Sequence, residues 1–350
     1  MGFGMSSTNA ATLVYVGSSD SQDIAVLQLQ ANGKLEPLET VAVPGPAKPG
    51  GSLPLAVSPS KKFLYAGLRN EPYSVVTFAI APSTGRLTYL GTGPLADSMA
   101  YITTDRSGRF LLGASYTGAK VTVNPIDKSG IVEPIRQTVA TLPNAHCILP
   151  DASNRYVLHT ALGGDVIYQA KFDTKTGKLS PNDPPTVSVK EKAGPRHLTF
   201  SPDQKFVYLI DELDASIYVF PYDSASGTLK KTSQVISALP NGFTGKPWAA
   251  DIHVTPNGKF LYASERTSST LAAFRVDRKK GTLTPIDSFS TETQPRAFAI
   301  DPSGRYLLAV GQLSNRMTSY AIDKASGRLS KLQEYPMGKN PNWVEIVRLP

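Results

Sequence analysis

The chain has 350 residues, with 28 Gly, 28 Pro, a single Cys and a formal net charge of +8. One cysteine excludes an intramolecular disulfide and favours a reducing, cytoplasmic setting. No apolar run reaches the roughly eighteen residues of a membrane span, and no basic-then-apolar leader opens the sequence, so a membrane partner is not expected.

Residues 1–10 are expected to be a disordered extension, and residues 11–350 a single domain. The first strand-like run is Thr12-Leu13-Val14-Tyr15-Val16-Gly17. It is followed by the first of seven glycine turns: Gly33-Lys34-Leu35, Gly85-Arg86-Leu87, Gly130-Ile131-Val132, Gly177-Lys178-Leu179, Gly227-Thr228-Leu229, Gly281-Thr282-Leu283 and Gly327-Arg328-Leu329. A second beat interleaves with these: SPSKKF from Ser58, DRSGRF from Asp105, DASNRY from Asp151, SPDQKF from Ser201, TPNGKF from Thr255 and DPSGRY from Asp301. Each is a polar turn dropping into an aromatic that opens a short apolar strand, the pattern of a tight hairpin. The second residues of these beats stand at 59, 106, 152, 202, 256 and 302, so the period is 46–54 residues. Two hairpins per period and seven copies predict an all-β, seven-bladed β-propeller with four-stranded antiparallel blades.

The ends fit that scheme. Thr12–Gly17 matches the second strand of a repeat (Lys62–Gly67), whereas Pro341-Asn342-Trp343-Val344-Glu345-Ile346-Val347 matches a first strand such as Pro195–Phe200. The C-terminal strand is therefore expected to pair in the first blade and close the ring, leaving no long exposed edge.

Charge and motifs narrow the function. Lys61-Lys62, Lys230-Lys231 and Lys279-Lys280 fall in predicted turns and read as solvated surface, and no basic stripe with interleaved aromatics points to nucleic acid. Glycine-rich phosphate loops, metal-spaced His/Cys clusters and nucleophile elbows are missing from the sequence, so neither cofactor nor metal is expected. Cys147 neighbours His146 but should point to the opposite face of its strand, as a packed thiol.

Repeat alignment concentrates chemistry at one end of the ring. The mouth of each first strand carries Leu53, Ala100, His146, Arg196, Ala250 or Arg296, and the end of each second strand carries Arg69, Tyr116, Leu162, Glu212, Arg266 or Gln312. His197 and Asp251 stand one position further along. Several arginines facing one carboxylate leave surplus positive charge, which suits a phosphate or carboxylate. Glu212 and His146 are the proton-transfer candidates, and with no activated Ser or Cys the expected nucleophile is water.

Gly194-Pro195-Arg196-His197, Asp211-Glu212-Leu213, Trp248-Ala249-Ala250-Asp251-Ile252-His253, Glu292–Arg296 and the closing Trp343 strand resemble the bacterial propeller-type 6-phosphogluconolactonases. That lactonase family also includes fungal carboxymuconate lactonising enzymes. The likeness runs blade by blade from about Ala11, and the third repeat departs from it at Leu149-Pro150-Asp151, where the usual Ser-Pro turn opening is replaced. It implies metal-free hydrolysis of 6-phospho-D-glucono-1,5-lactone to 6-phospho-D-gluconate in the oxidative pentose phosphate pathway. It also implies a site of His146, Arg196, Glu212 and Arg266 or Arg296. On this reading Glu212 is the general base, His146 the donor to the departing ring oxygen and Arg196 a catalytic cation. Arg266, Arg296, His197, Asp251, Arg69, Tyr116 and Gln312 bind a small anionic sugar lactone, in a monomer or weak homo-oligomer. The competing readings are a carboxymuconate-type cycloisomerase, a hydrolase of another sugar lactone, and a protein-interaction scaffold. The last is disfavoured because the repeats lack the Gly-His and Trp-Asp pairs of WD40 blades.

Overall fold

A computed structural model describes residues 10–46 and 50–350. The expected extension at 1–10 therefore lies outside the described residues, Ala10 excepted.

Seven antiparallel sheets follow one another around a channel, and five are consecutive meanders of four strands. In the fifth blade the outer strand is split into Thr228–Leu229 and Gln234–Ser237. The first blade is composite, because Pro341–Arg348 is its inner strand and pairs with Thr12–Ser18, Leu13 opposite Val347 and Val16 opposite Val344. Closure by the C-terminal strand is thus observed in the register expected.

Period-two alternation decides which blade each side chain faces. Leu13 and Tyr15 pack toward the second blade, while Val14 and Val16 pack toward the seventh. The buried residues fall into seven apolar clusters, one at each blade interface. The core of the described residues is thus a ring of seven small cores.

The two sequence beats meet at these interfaces. The aromatic opening each second strand lies on the glycine turn of the next blade: Phe110 on Gly177, Phe206 on Gly281, Phe260 on Gly327 and, across the seam, Tyr306 on Gly33. A Cβ at Gly177 would sit 2.5 Å from Phe110, and its φ of +74° is costly for any other residue. The tyrosines two residues further on reinforce the contact, with Tyr208 and Tyr262 donating to the carbonyls of Gly281 and Gly327 at 3.0 and 2.7 Å.

The inner strands carry a feature the sequence did not disclose. Six of them break register opposite their partner: between Met99 and Tyr101, Ala145 and Ile148, Pro195 and His197, Ala249 and Ile252, Pro295 and Ala297, and Pro341 and Trp343. The unpaired residues are Ala100, His146 with Cys147, Arg196, Ala250 with Asp251, Arg296 and Asn342. A β-bulge re-aims the side chain it carries, and here it turns Ala100, His146, Arg196 and Arg296 toward the channel mouth.

Candidate active site

His146, Arg196 and Arg296 come from bulges at the start of three inner strands, and Arg69, Tyr116, Glu212 and Arg266 from loops that follow second strands. These seven residues, with Gly51, Ala100 and Trp248, line one cavity of about 230 Å³ at the channel mouth, room for a small ligand. The Glu212 loop is pinned from both sides, its N–H donating to the Gly194 carbonyl at 2.7 Å and its carbonyl accepting from Ala249 N–H at 3.0 Å.

Glu212 ties two arginines together. Its Oε2 accepts from Arg196 Nε at 2.9 Å and from Arg266 Nη2 at 2.8 Å. Burial works to raise its pKa, but the two guanidiniums outweigh burial and hold it below the ordinary carboxylate value. Arg196 is 1% exposed and also donates to the Ala250 carbonyl. Arg266 donates to the carbonyls of Trp248 and Ala249 at 3.1 and 3.0 Å and stacks on the Trp248 ring at 3.9 Å. Burial and Arg196 bring Arg266 down to about 9, with Glu212 acting the other way, so it remains a cation at neutral pH.

The other two arginines are differently placed. Arg69 donates to the hydroxyls of Ser98 and Ser52 at 3.0 and 2.9 Å. Arg296 makes no side-chain hydrogen bond among the described residues, and burial together with Arg196, Arg266 and Arg69 pushes it well below its usual pKa. Four guanidiniums around one carboxylate leave a desolvated positive field, and a ligand anion is what relieves it.

His146 is almost fully buried, edge-on to Tyr116 at 5.9 Å. Its Nδ1 is enclosed without a protein partner, which leaves Nε2 as the nitrogen reaching the cavity. Burial, then Arg196, His197 and Arg296, lower its pKa well below 6.5, so the imidazole is neutral with a lone pair available. Cys147 turns the other way into the cluster with Leu158 and Leu198, and burial lifts its thiol to about 12. The unusual Pro150 turn leaves the His146 bulge like those of the other blades.

Three expected ligands are not at the mouth. His197 and Asp251 lie one layer down, lining a second cavity of about 60 Å³ with His253, Glu345 and Trp343, and Arg196 and Arg296 form the partition between the two spaces. Gln312 lines neither cavity and is bonded to Gln294 and Asn340 at 3.1 and 2.8 Å. Trp248, which lines the mouth and is 38% exposed, was not among the expected ligands. Its only signal was an aromatic at the start of a strand facing a predicted arginine. No group of three or more His, Cys, Asp or Glu able to hold a metal occurs among the described residues.

Residues 13–346 match the model of the lactonase family, described as a 7-bladed beta-propeller. The chain belongs to that family. Within it, the chain is 42% identical over 338 residues to the 6-phosphogluconolactonase of Pectobacterium atrosepticum, covering 96% of this chain and 99% of that one. It is 41% identical over 334 residues to the 6-phosphogluconolactonase of Yersinia pseudotuberculosis, covering 95% and 97%. Among solved structures, the periplasmic gluconolactonase of Pseudomonas aeruginosa superposes with a TM-score of 0.88 at 26% identity, over 97% of this lactonase-family chain and 100% of that one.

Proposed function

We propose that this lactonase-family propeller hydrolyses 6-phospho-D-glucono-1,5-lactone to 6-phospho-D-gluconate, serving the oxidative pentose phosphate pathway in the cytoplasm. The observation that carries the substrate is the excess of guanidinium over carboxylate at a mouth of small volume, four against one. An unphosphorylated lactone is neutral and has no use for that charge. The full-length relatives that share the name support the same reaction.

The roles follow from what each side chain already holds. Glu212 is occupied by two arginines and held below its ordinary pKa, so it is a poor base and a good clamp. His146 has an unoccupied nitrogen at the cavity, and on this reading it is the base. Burial and then the surrounding arginines depress its basicity, and the arriving phosphate offsets the arginine part. Arg296, with its donors uncommitted, and Arg69 hold the phosphate. Arg196, fixed by Glu212 and the Ala250 carbonyl, keeps Nη2 for the oxygen that develops charge.

Water attacks C1 while His146 Nε2 takes its proton. The tetrahedral oxyanion collapses, the bond from C1 to the ring oxygen breaks, and the imidazolium returns the proton to the departing oxygen. The new carboxylic acid then ionises, so each turnover leaves one proton in the site. Assaying phosphorylated lactone, unphosphorylated lactone and carboxymuconate side by side tests the reading. Arg296→Ala should raise KM for the phosphorylated lactone about 10- to 150-fold, the worth of one charged hydrogen bond, and spare the unphosphorylated one. Equal losses on both lactones would remove Arg296 from the phosphate. Turnover of carboxymuconate in place of either lactone would favour the cycloisomerase.

A further inference from the structure

The roles assigned above account for the phosphate, the reacting carbon and the attacking water, and leave the body of the sugar ring without a partner. Trp248 is the mouth residue that has no role in them. It lines the cavity, yet its side chain is left 38% exposed. In the repeat alignment it stands two residues before the mouth position Ala250, where the other blades carry Gly51, Ser98, Asn144, Gly194, Gln294 and Asn340. The sixth blade alone puts an aromatic there, and it pairs that aromatic with an alanine at the mouth position itself.

An exposed indole is ordinarily free to move, but this one is held. Trp248 N–H donates to Glu265 Oε1 at 2.6 Å, and Glu265 is fully buried and also accepts from the N–H of Thr267 at 3.3 Å. The Trp248 carbonyl accepts from Arg266 twice, from its N–H at 3.0 Å and from Nε at 3.1 Å. The Arg266 guanidinium, itself 4% exposed, covers one face of the ring at 3.9 Å. The exposed surface therefore lies chiefly on the opposite face and rim, which are open to the cavity. Tyr116, the other aromatic lining the mouth, is engaged edge-on with His146. A rigid aromatic face beside four guanidiniums is a preorganised contact for the apolar part of an anionic ligand.

A gluco-configured lactone has such a part. Its ring hydroxyls radiate from the edge, so the faces of the ring present C–H groups. Laying one of those faces on an indole removes apolar surface from water on both sides and leaves the hydroxyls at the rim. We propose that Trp248 is the platform for the sugar ring, a specificity-determining residue that selects cyclic sugar lactones over other small anions attracted by the same arginines. The proposal rests on the hydrolytic reading, and it deepens it by assigning the ring. The platform touches neither the phosphate nor the carbon under attack. Its contribution is therefore equal in ground and transition state, and it acts on KM rather than kcat.

The test is steady-state kinetics of the full chain on 6-phospho-D-glucono-1,5-lactone and on D-glucono-1,5-lactone, with inorganic phosphate as a competing anion. Trp248→Ala should raise KM for both lactones by the same factor, about 3- to 10-fold, the worth of one aromatic face contact. It should leave kcat little changed and inhibition by inorganic phosphate unaltered, and Trp248→Phe should recover most of the loss. A fall in kcat at unchanged KM would mean that the indole serves only to hold Arg266 against Glu212, and would overturn the proposal. A rise in KM confined to the phosphorylated lactone would overturn it too, because the effect would then pass through the arginines. A second measurement needs no variant. The chain has two tryptophans and Trp343 is 8% exposed, so quenching of fluorescence by acrylamide reports mainly Trp248. D-Glucose 6-phosphate, a ring of the same configuration that cannot be hydrolysed as a lactone, should protect the indole, whereas inorganic phosphate should not. Quenching unchanged by saturating D-glucose 6-phosphate would remove the platform. Normal hydrolysis with unchanged KM in Trp248→Ala overturns the platform alone, while wild-type protein that hydrolyses neither lactone overturns the hydrolytic reading and the platform with it.

Discussion

Replacing Glu212 by Gln separates a clamp from a base, because Gln keeps the shape and an acceptor oxygen but neither the charge nor the basicity. In the structure one carboxylate oxygen serves two guanidiniums at 2.9 and 2.8 Å. Hydrogen bonds to charged groups contribute about 1.5–3 kcal/mol each, and roughly half of that survives when the acceptor is neutral. Two such bonds therefore lose about 1.5–3 kcal/mol together. For a cooperative unit of this size that is a fall in melting temperature of about 2–4 °C. A clamp should cost kcat less than about tenfold, against the 10²–10⁴ expected of a positioned base. Differential scanning calorimetry and steady-state kinetics on the same preparation read both numbers. A loss of 10²–10⁴ in kcat at unchanged melting temperature would refute the clamp and return the base to Glu212.

His146→Asn should show the opposite pattern, kcat down about 10²–10⁴ with melting temperature and KM little changed; a kcat within a few-fold of wild type removes His146 from the chemistry. Asp211 is fully buried with both carboxylate oxygens unpartnered, and burial, with Asp214 and Asp165 adding, lifts it to about 9. A folded-state pKa above the unfolded one destabilises progressively as pH rises from the unfolded value through about 9, so Asp211→Asn should raise the melting temperature in mildly alkaline buffer and lose that gain in acid, as thermal melts across pH will show. Removing residues 341–350 strips the inner strand from the first blade and should abolish the cooperative transition seen in calorimetry; an unchanged transition would contradict the closure.

The fold was legible because its two signals are local and repeated. A polar turn before an aromatic and a glycine just before an aliphatic residue need only a few residues each, and six copies of the one and seven of the other average out local accidents. The mouth was partly legible for the same reason: His146, Arg196, Glu212, Arg266 and Arg296 occupy equivalent positions in the repeats and do meet. Depth within the channel was not. His197 and Asp251 are adjacent in sequence to mouth residues, yet the bulge beside each places them a layer lower, and a bulge leaves no composition signal at these positions. Gln312 shares its repeat position with Glu212 and Arg266 but is drawn off by Gln294 and Asn340, side chains whose proximity only the folded loops create. Glu345 was legible as part of a closing strand, while its place in the channel required knowing which strand lies innermost.

That strand has a consequence for biosynthesis. Among the described residues it is the last strand to leave the ribosome, and it brings Trp343 and Glu345 into the channel while sealing the first blade. Six blades can assemble on a nascent chain, but the inner chamber has no complete wall until synthesis has passed residue 345. A prematurely terminated product would therefore carry an open sheet edge and an unfinished channel at once, so the same defect that withholds function also marks the molecule for capture by chaperones and proteases.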